Sequence, residues 1–412
     1  MEIIQYQGTS FESIARGALG MIILLLIAYL ISSNKKQIKW KTVLMALSLQ
    51  IITAVGVIKI NLIKRMFEII GNFFIRILEF TEAGTSMVLG DLNIEKHEAS
   101  FALQVLPVII FFSAFASILY YFGIIQKLVS IMAWIFTKLF GISGAESLSV
   151  AGNIFLGQTE APLMVKPFVD KMTKSELMAV MTGGFATAAG GILAIYVSWL
   201  SDIPGIAGHL LTASVMSAPA ALVMAKIIYP EVEESNTMGD VSIEIEQTTT
   251  NAMEALGNGA TTGLKLAANI AAMLIAFLAF VAMINYLLSF VGTSMEDIFG
   301  FLFKPLAWTM GVPWEEAGIL ATLMGKKIVL TELIAYGDLQ QAVTDGLSDR
   351  TAVIASYALC GFANFGSIGI QLGGIGAMAP NRRGDLARLV TKAMIGGALA
   401  SWLTATIAGL LL

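Results

Sequence analysis

The feature that most constrains this chain is a succession of apolar stretches, each about as long as a bilayer is thick. A transmembrane helix needs about 20 mostly apolar residues. Eight stretches qualify: 14–33, 40–59, 102–122, 174–200, 206–228, 264–290, 350–378 and 386–410. Charged residues make up only 13% of the chain, about half the usual density of a soluble domain. That is too few to coat a water-facing surface, so lipid is the expected main solvent and the expected class is an all-α integral membrane protein. The net charge of −4 and the absence of a long Lys/Arg run exclude a nucleic-acid partner. A lone cysteine, Cys360, rules out a disulfide framework and reads as a packing residue. The isolated His97 and His209 give no support to a His/Cys metal site. Met21–Ile31 has the apolarity of a signal-peptide core. No small-residue cleavage site follows it, and it runs into Lys35, Lys36, Lys39 and Lys41, so it reads as a retained first span.

Other apolar segments do not suit simple spans. Residues 61–80 intersperse Lys64, Arg65, Glu68, Arg76 and Glu79 among apolar residues, and 124–140 and 292–308 are shorter amphipathic stretches. Such helices suit the membrane interface, a partner subunit or the surface of the bundle itself. Segments 143–171 and 313–343 are interrupted by Gly, Pro, Thr, Gln and Glu. Broken polar backbone at membrane depth is tolerated only where protein buries it or water lines it. Both segments therefore read as re-entrant helical hairpins. Positive loops mark the cytoplasmic side, which assigns there Lys35–Lys41, then Lys166, Lys171 and Lys174, then Arg382, Arg383 and Arg388. With eight spans and two hairpins these three regions fall on one side, and both termini fall outside. Pro230–Gln247, with Glu231, Glu233, Glu234, Asp240, Glu244 and Glu246, reads as a solvated flexible joint. The expected organisation is a scaffold over 1–140, a first repeat over 141–228, an acidic linker over 229–253, a scaffold span and interfacial helix over 254–308, a second repeat over 309–378, and a last span over 379–412.

The repeat is visible in the residues. Gly141-Ile142…Glu146, Thr159-Glu160 and Gly184-Phe185-Ala186-Thr187 correspond to Gly311-Val312…Glu316, Thr331-Glu332 and Gly361-Phe362-Ala363-Asn364. Glu146 to Glu160 is 14 residues, and Glu316 to Glu332 is 16. Each unit is a hairpin with Thr-Glu near its tip, followed by a span broken at Gly-Phe-Ala. By span counting the first hairpin enters from the cytoplasm and the second from outside, so the repeats are inverted. Inverted repeats with broken helices at the midplane are a transporter architecture.

A carboxylate at the centre of a membrane helix costs about 2.5–3.5 kcal/mol or more. Glu160 and Glu332 are therefore candidate site residues. Asn153, Gln158 and Thr159 stand around the first, and Asn364 and Ser367 around the second break, with Phe362 and Phe185 as aromatic faces. Carboxylates, amides and hydroxyls without an Arg/Lys cluster suit a neutral, hydroxyl-rich ligand better than a phosphorylated one. The alternative for each Glu is an ion pair holding helices together, with Lys326 or Lys327 near Glu332 and Lys166 near Glu160. Glu146 and Glu316 begin hairpin helices and read as capping residues.

Gly152-Asn153-Ile154-Phe155-Leu156-Gly157-Gln158-Thr159-Glu160-Ala161-Pro162-Leu163 resembles the signature of the concentrative nucleoside transporters. So does Gly361-Phe362-Ala363-Asn364-Phe365-Gly366-Ser367-Ile368-Gly369-Ile370, followed by Asn381-Arg382-Arg383-Gly384-Asp385. The resemblance covers about residues 100–412. It implies a homotrimer, with a nucleoside held in each protomer between the hairpin tips and the broken spans. It places Gln158, Thr159 and Glu160 at the nucleobase, Glu332, Asn364 and Ser367 at the ribose, and Phe362 on the pocket wall. It places a sodium ion at Asn153 and Thr187 with the carbonyls of Leu156 and Ala188. Oxygen ligands of this kind suit a hard cation. Proton-coupled relatives carry Gln-Ser-Glu-Asn rather than Gln-Thr-Glu-Ala and lack the Asn of position 153, so this chain has the sodium-type residues. Gly366 departs from the Ser of many relatives. The expectation is sodium-driven nucleoside import by alternating access. Proton coupling is the nearest alternative, and a channel or an intramembrane enzyme are the alternatives of other classes. For an enzyme the sequence offers no H-E-x-x-H, no G-x-S-x-G and no Cys pair.

Overall fold

A computed structural model describes residues 11–89, 101–237 and 249–412, and the elements within them are helical, with no strand. Three helices open the chain: α1 (Phe11–Leu30), α2 (Trp40–Lys59) and α3 (Asn61–Leu89). On α1 the exposed Leu19, Ile22, Leu26 and Leu30 recur every three or four residues, a stripe for lipid. The amphipathic stretch at 61–80 is the first part of the longer α3. Next, α4 (Phe101–Tyr121) and α5 (Ile124–Phe140) meet at a 74° bend, turned by Gly123 at φ +73°.

The first repeat contains α6 (Gly144–Gly152), the single turns α7 (Glu160–Leu163) and α8 (Lys166–Val169), then α9 (Lys174–Ala186) and α10 (Gly190–Trp199). The returning arm of the expected hairpin is thus not a continuous helix. Pro162 and Pro167 lie in it, and each removes a backbone donor and clashes with the preceding turn. After α11 (Ile206–Ile228) and α12 (Ala252–Ser289) come α13 (Met295–Thr309) and the second repeat. That repeat comprises α14 (Trp314–Val329), α15 (Glu332–Thr344), α16 (Asp349–Leu359) and α17 (Phe365–Met378), and α18 (Arg383–Leu411) ends the fold.

All eight apolar stretches lie on helices. Among the described residues five spans are long and apolar enough to cross a bilayer, α9 with α10 counting as one, or six if α4 and α5 count as one bent span. The count falls short of eight partly because 350–378 is divided between α16 and α17, each too short alone. Burial separates centre from periphery: 89% of the α11 span is buried against 22% of the α1 span. With α9, α16 and α18, α11 forms the middle of the molecule. Outside it, Ala255, Gly259, Gly263 and Ala267 make a four-residue-spaced small ridge on α12. A methyl carbon added at Gly259 or Gly263 would stand 2.7 Å from the α4 backbone, so the two helices touch through their main chains.

Side-chain bonds sort the loops between two ends of the bundle. At one end Ser33 N–H bonds Ile228 O, Lys392 bonds Ile31 O, and Arg382 bonds the carbonyls of Val169, Asp170 and Met172. This gathers the three basic regions. At the other end Arg16 bonds Gly311 O and Arg350 bonds Gly409 O, which brings the beginning of α1 and the end of α18 together. In each repeat the start of the first helix lies beside the start of the later, broken span. In the first, Lys226 of α11 joins Glu146 (2.6 Å) to Ser175 (3.1 Å) at the basic end. In the second, Glu316 accepts from Ser348 N–H and Oγ and from Thr351 at the opposite end. Glu146 also completes a capping box with Ser143, whereas Glu316 caps α16 rather than its own helix.

The linker departs from the expectation of a solvated joint. Thr237 is buried, its carbonyl accepts from Gly144 N–H, and Ser235 and Thr237 both donate to Glu176. Glu231 accepts from Thr173. The segment 230–237 therefore binds the base of the first repeat, where it helps line a cavity of about 400 Å³ with Lys39 and Lys226. Asp240, Glu244 and Glu246 of the linker, like His97, lie outside the described residues.

Candidate substrate and ion site

Two helix breaks cross at the middle of the molecule. Between α9 and α10, Thr187 and Ala189 are extended; between α16 and α17, Cys360 and Asn364 are extended and Gly361 has φ +105°. A methyl carbon at Gly361 would stand 2.5 Å from Ala186 O. Only glycine satisfies both that φ and that approach. The crossing leaves backbone groups of four half-helices near one point, each needing a partner.

Around the second break the partners are side chains. Asn364 caps α17: its Oδ1 accepts from Ser367 N–H at 2.8 Å, and its Nδ2 donates to Glu332 Oε2 at 2.9 Å. Tyr196 of α10 donates to Glu332 Oε1 at 3.3 Å. Glu332 is 5% exposed and opens α15, where the N-terminal dipole favours a carboxylate. Tyr196 is stacked on Tyr336, with ring centroids 3.7 Å apart. Lys327, fully buried, donates at 3.0 Å to Ala358 O, Cys360 O and Ser401 Oγ. Lys326 pairs with Asp338 at 2.6 Å. Neither lysine forms an ion pair with Glu332, so the helix-pinning alternative for that carboxylate does not hold.

The first repeat reaches the same point through Gln158. Its Nε2 donates to Ser367 Oγ at 3.1 Å, and its Oε1 accepts from Gln371 Nε2 at 3.3 Å. Thr159 is half-buried against Gly374 of α17. Glu160 is exposed, lies over Gly157, and among the described residues makes no ion pair, with Lys166 or otherwise. The link between the repeats thus runs through Gln158, Ser367, Asn364 and Glu332, not through Glu160. Phe362 is half-buried at the second break, while Phe185 is fully buried beside Gly397 of α18. Phe185 is a packing residue, not a pocket wall.

Asn153, Thr187, Leu156 and Ala188 are all buried at the first break. Asn153 Nδ2 donates to Ser149 O at 3.0 Å and Thr187 Oγ1 to Gly183 O at 2.9 Å, and a methyl carbon at Gly183 would stand 3.1 Å from Asn153 Nδ2. Gly190 N–H bonds Phe155 O, which lays the hairpin tip against residues 189–190. Asn153 Oδ1 is buried and accepts no hydrogen bond. An orphaned acceptor among carbonyls and a hydroxyl is what a hard cation can use, since leaving it unpaired costs about 1–3 kcal/mol.

Two helical repeats, crossed at their breaks and joined by a buried polar chain, have the architecture of membrane transporters of the secondary type. The comparisons with known proteins agree. Residues 19–92 match the family model Na+ dependent nucleoside transporter N-terminus, 102–202 the Nucleoside recognition gate, and 209–409 the Na+ dependent nucleoside transporter C-terminus. The chain is 41% identical to an uncharacterized transporter of Haemophilus influenzae, covering 97% of this chain and 98% of that one. It is 41% identical to sodium/nucleoside cotransporter 1 of Mus musculus over 95% of its length, and spans 63% of that longer protein. A structure of CNTnw in an inward-facing substrate-bound state superposes with TM-score 0.91 at 40% identity, covering 97% of this chain and 98% of that chain. A CNTnw variant in an outward-facing state superposes with TM-score 0.89. This chain belongs to the sodium-dependent nucleoside transporter family, a family of transporters and not of enzymes.

Three buried polar residues packed around the candidate site are absent from the sequence reading in that role. Tyr196 sits in the apolar run Ile192–Trp199, where its hydroxyl is one of few polar atoms. Gln371 is the only amide in α17. Lys327 entered the reading only as an ion-pair candidate for Glu332. A polar group inside an apolar helix is the signal each one carried.

Proposed function

We propose that this chain imports nucleosides against their gradient, driven by sodium, through alternating access. The observation that carries the reading is the buried chain Gln158–Ser367–Asn364–Glu332 at the crossing of the two breaks, beside the orphaned Asn153 acceptor. In this reading Gln158, Thr159 and Glu160 face the base, Glu332, Asn364 and Ser367 hold the ribose, and Phe362 lines the pocket. Sodium engages Asn153, Thr187 and the Leu156 and Ala188 carbonyls. Because Asn153 and Gln158 belong to one hairpin, the ion stiffens the segment that then meets the base. The two repeats act as re-entrant hairpins from opposite membrane faces. The basic end is cytoplasmic by the distribution of positive charge, and both termini are outside. The exposed apolar surfaces of α12 and α13, including Ile275, Phe280, Phe290 and Phe301, suit lipid and two further copies in a homotrimer.

One charge crossing 100 mV releases about 2.3 kcal/mol, and a tenfold sodium gradient adds about 1.4 kcal/mol. Their sum supports accumulation of several hundredfold. The test is uptake of radiolabelled uridine and adenosine into proteoliposomes, with and without an imposed sodium gradient. Accumulation above equilibrium that needs sodium is expected. Accumulation in sodium-free buffer that follows pH would replace sodium with the proton, and flux that never passes equilibrium would replace the carrier with a channel.

A further inference from the structure

Gln371 has no role in the site as read above, yet its geometry controls a residue that does. It is fully buried in α17, and its Nε2 donates both to Met181 O (3.1 Å) and to Gln158 Oε1 (3.3 Å). A backbone carbonyl only accepts, so the Met181 contact determines which end of the Gln371 amide is nitrogen. That nitrogen then requires the oxygen of Gln158 opposite it. Turning the Gln158 amide over would set two N–H donors face to face in a buried site. The remaining contact of Gln158, to Ser367 Oγ, imposes no such choice, because a hydroxyl both donates and accepts. Gly184 makes the room: a methyl carbon there would lie 2.7 Å from Gln371 Nε2 and 3.1 Å from Gln158 Cβ. Gln371 Oε1 is buried and without a partner, so the amide is held by its nitrogen alone.

We propose that Gln371 is a positioning residue that fixes the polarity of the Gln158 amide and thereby sorts nucleosides by the hydrogen-bonding edge of the base. The inference rests on the reading that Gln158 faces the base. Uridine and inosine present a ring N–H beside a carbonyl, where cytidine and adenosine present a ring nitrogen beside an amino group. An amide locked one way round fits one of these edges and opposes the other. An amide free to turn over accepts both.

The test measures KM and Vmax in proteoliposomes for uridine against cytidine and for inosine against adenosine. In the unmodified protein the two members of a transported pair differ in KM by about fivefold or more, equivalent to about 1 kcal/mol. Gln371→Leu, and the closer-fitting Gln371→Met should the first fail to reach the membrane, shrink that ratio to within about twofold, while Vmax for the better substrate changes little. In a Gln158→Ala background the same substitution moves the ratio no further, because it acts through Gln158. A merely structural role would lower Vmax for all four substrates and leave the ratio alone. An unchanged ratio in the variants, or an unmodified transporter with equal KM for both members of a pair, overturns this inference and leaves the transport reading standing. An unmodified protein that moves no nucleoside removes both.

Discussion

Replacing Glu332 with Gln tests the ribose assignment at the residue with the most developed surroundings. An ionised carboxylate offers about four acceptor sites. Asn364 Nδ2 takes one on Oε2 and Tyr196 one on Oε1, which leaves about two for ribose hydroxyls. The glutamine has one oxygen. If that oxygen keeps Asn364, its new N–H group faces Tyr196, whose hydroxyl can turn to accept, so the local fold survives the change. The ligand does not fare as well. One hydroxyl loses its charged acceptor and meets an N–H group, and the other exchanges a charged partner for a neutral one. A charge-assisted hydrogen bond contributes about 1.5–3 kcal/mol against about 0.5–1.5 for a neutral one, so the two changes together cost about 2–4 kcal/mol. That corresponds to a fall of about 30- to 1,000-fold in uptake efficiency. The assay is initial-rate uridine uptake at subsaturating concentration into proteoliposomes under an inward sodium gradient, with 2′-deoxyuridine and 3′-deoxyuridine as parallel substrates. Removing a hydroxyl that bonds Glu332 should hurt the unmodified protein and add little in the variant, because both changes delete one interaction. Uptake within about threefold of the unmodified rate, or a deoxynucleoside penalty that persists undiminished in the variant, would refute the placement of Glu332 on the ribose.

Four further outcomes follow from the same contacts. Asn153→Ser raises the sodium concentration for half-maximal uptake by about tenfold, the equivalent of about 1.4 kcal/mol, with a smaller change in maximal rate; an unaltered sodium activation curve discards the ion site. Lys226→Met leaves Glu146 and Glu231 without their cation and destabilises the first repeat by about 3–5 kcal/mol, seen as a lower unfolding temperature in detergent, and pairing it with Glu146→Met recovers most of the loss. Lys327→Met strands Ala358 O, Cys360 O and Ser401 Oγ, at about 1–3 kcal/mol for each acceptor left unpaired, and lowers the unfolding temperature even in saturating sodium. Gly361→Ala, forced to φ +105° against Ala186 O, fails to yield a transport-competent protein, measured as nucleoside binding by thermal shift.

How much of this was legible in the chain depends on the range of the interaction concerned. Apolar length announces helices because each residue decides locally whether lipid or water suits it, and all eight stretches are helical. The break at Gly361–Asn364 was legible because Gly and small polar residues interrupt an apolar run; the first break lies at Thr187–Ala189, just past the expected Gly184-Phe185-Ala186, because those three residues still belong to α9. The docking of 230–237 was not: Glu231, Ser235 and Thr237 look solvated until Glu176, Thr173 and Gly144, dozens of residues away, supply their partners. Tyr196 was hidden for the same reason, since its partner Glu332 lies 136 residues further on. The signature run around Glu160 shows the converse. A carboxylate in a long signature stands out, yet the contact between the repeats passes through its neutral neighbour Gln158, which carries no charge to draw the eye.

The two repeats solve one physical problem in two ways. Each leaves a helix ending at a break inside the bundle, and the carbonyls at that end need positive partners in a medium that supplies no water. In the second repeat Lys327 carries the cation on its own side chain: its ammonium bonds Cys360 O and Ala358 O at the end of α16. By the alignment of Gly184-Phe185-Ala186 with Gly361-Phe362-Ala363, the counterpart of Cys360 is Gly183. The carbonyl of Gly183 accepts the uncharged Thr187 hydroxyl, and the neighbouring side chain is Asn153 with its oxygen unpaired. A tethered cation satisfies its helix end at all times. An untethered one satisfies it only while bound. In the proposed reading the first repeat is therefore the half of the molecule whose order can depend on an ion, and it is also the half that presents Gln158. Coupling of ion to solute requires that dependence in one place and its absence in the other, or the empty carrier would lose its shape altogether.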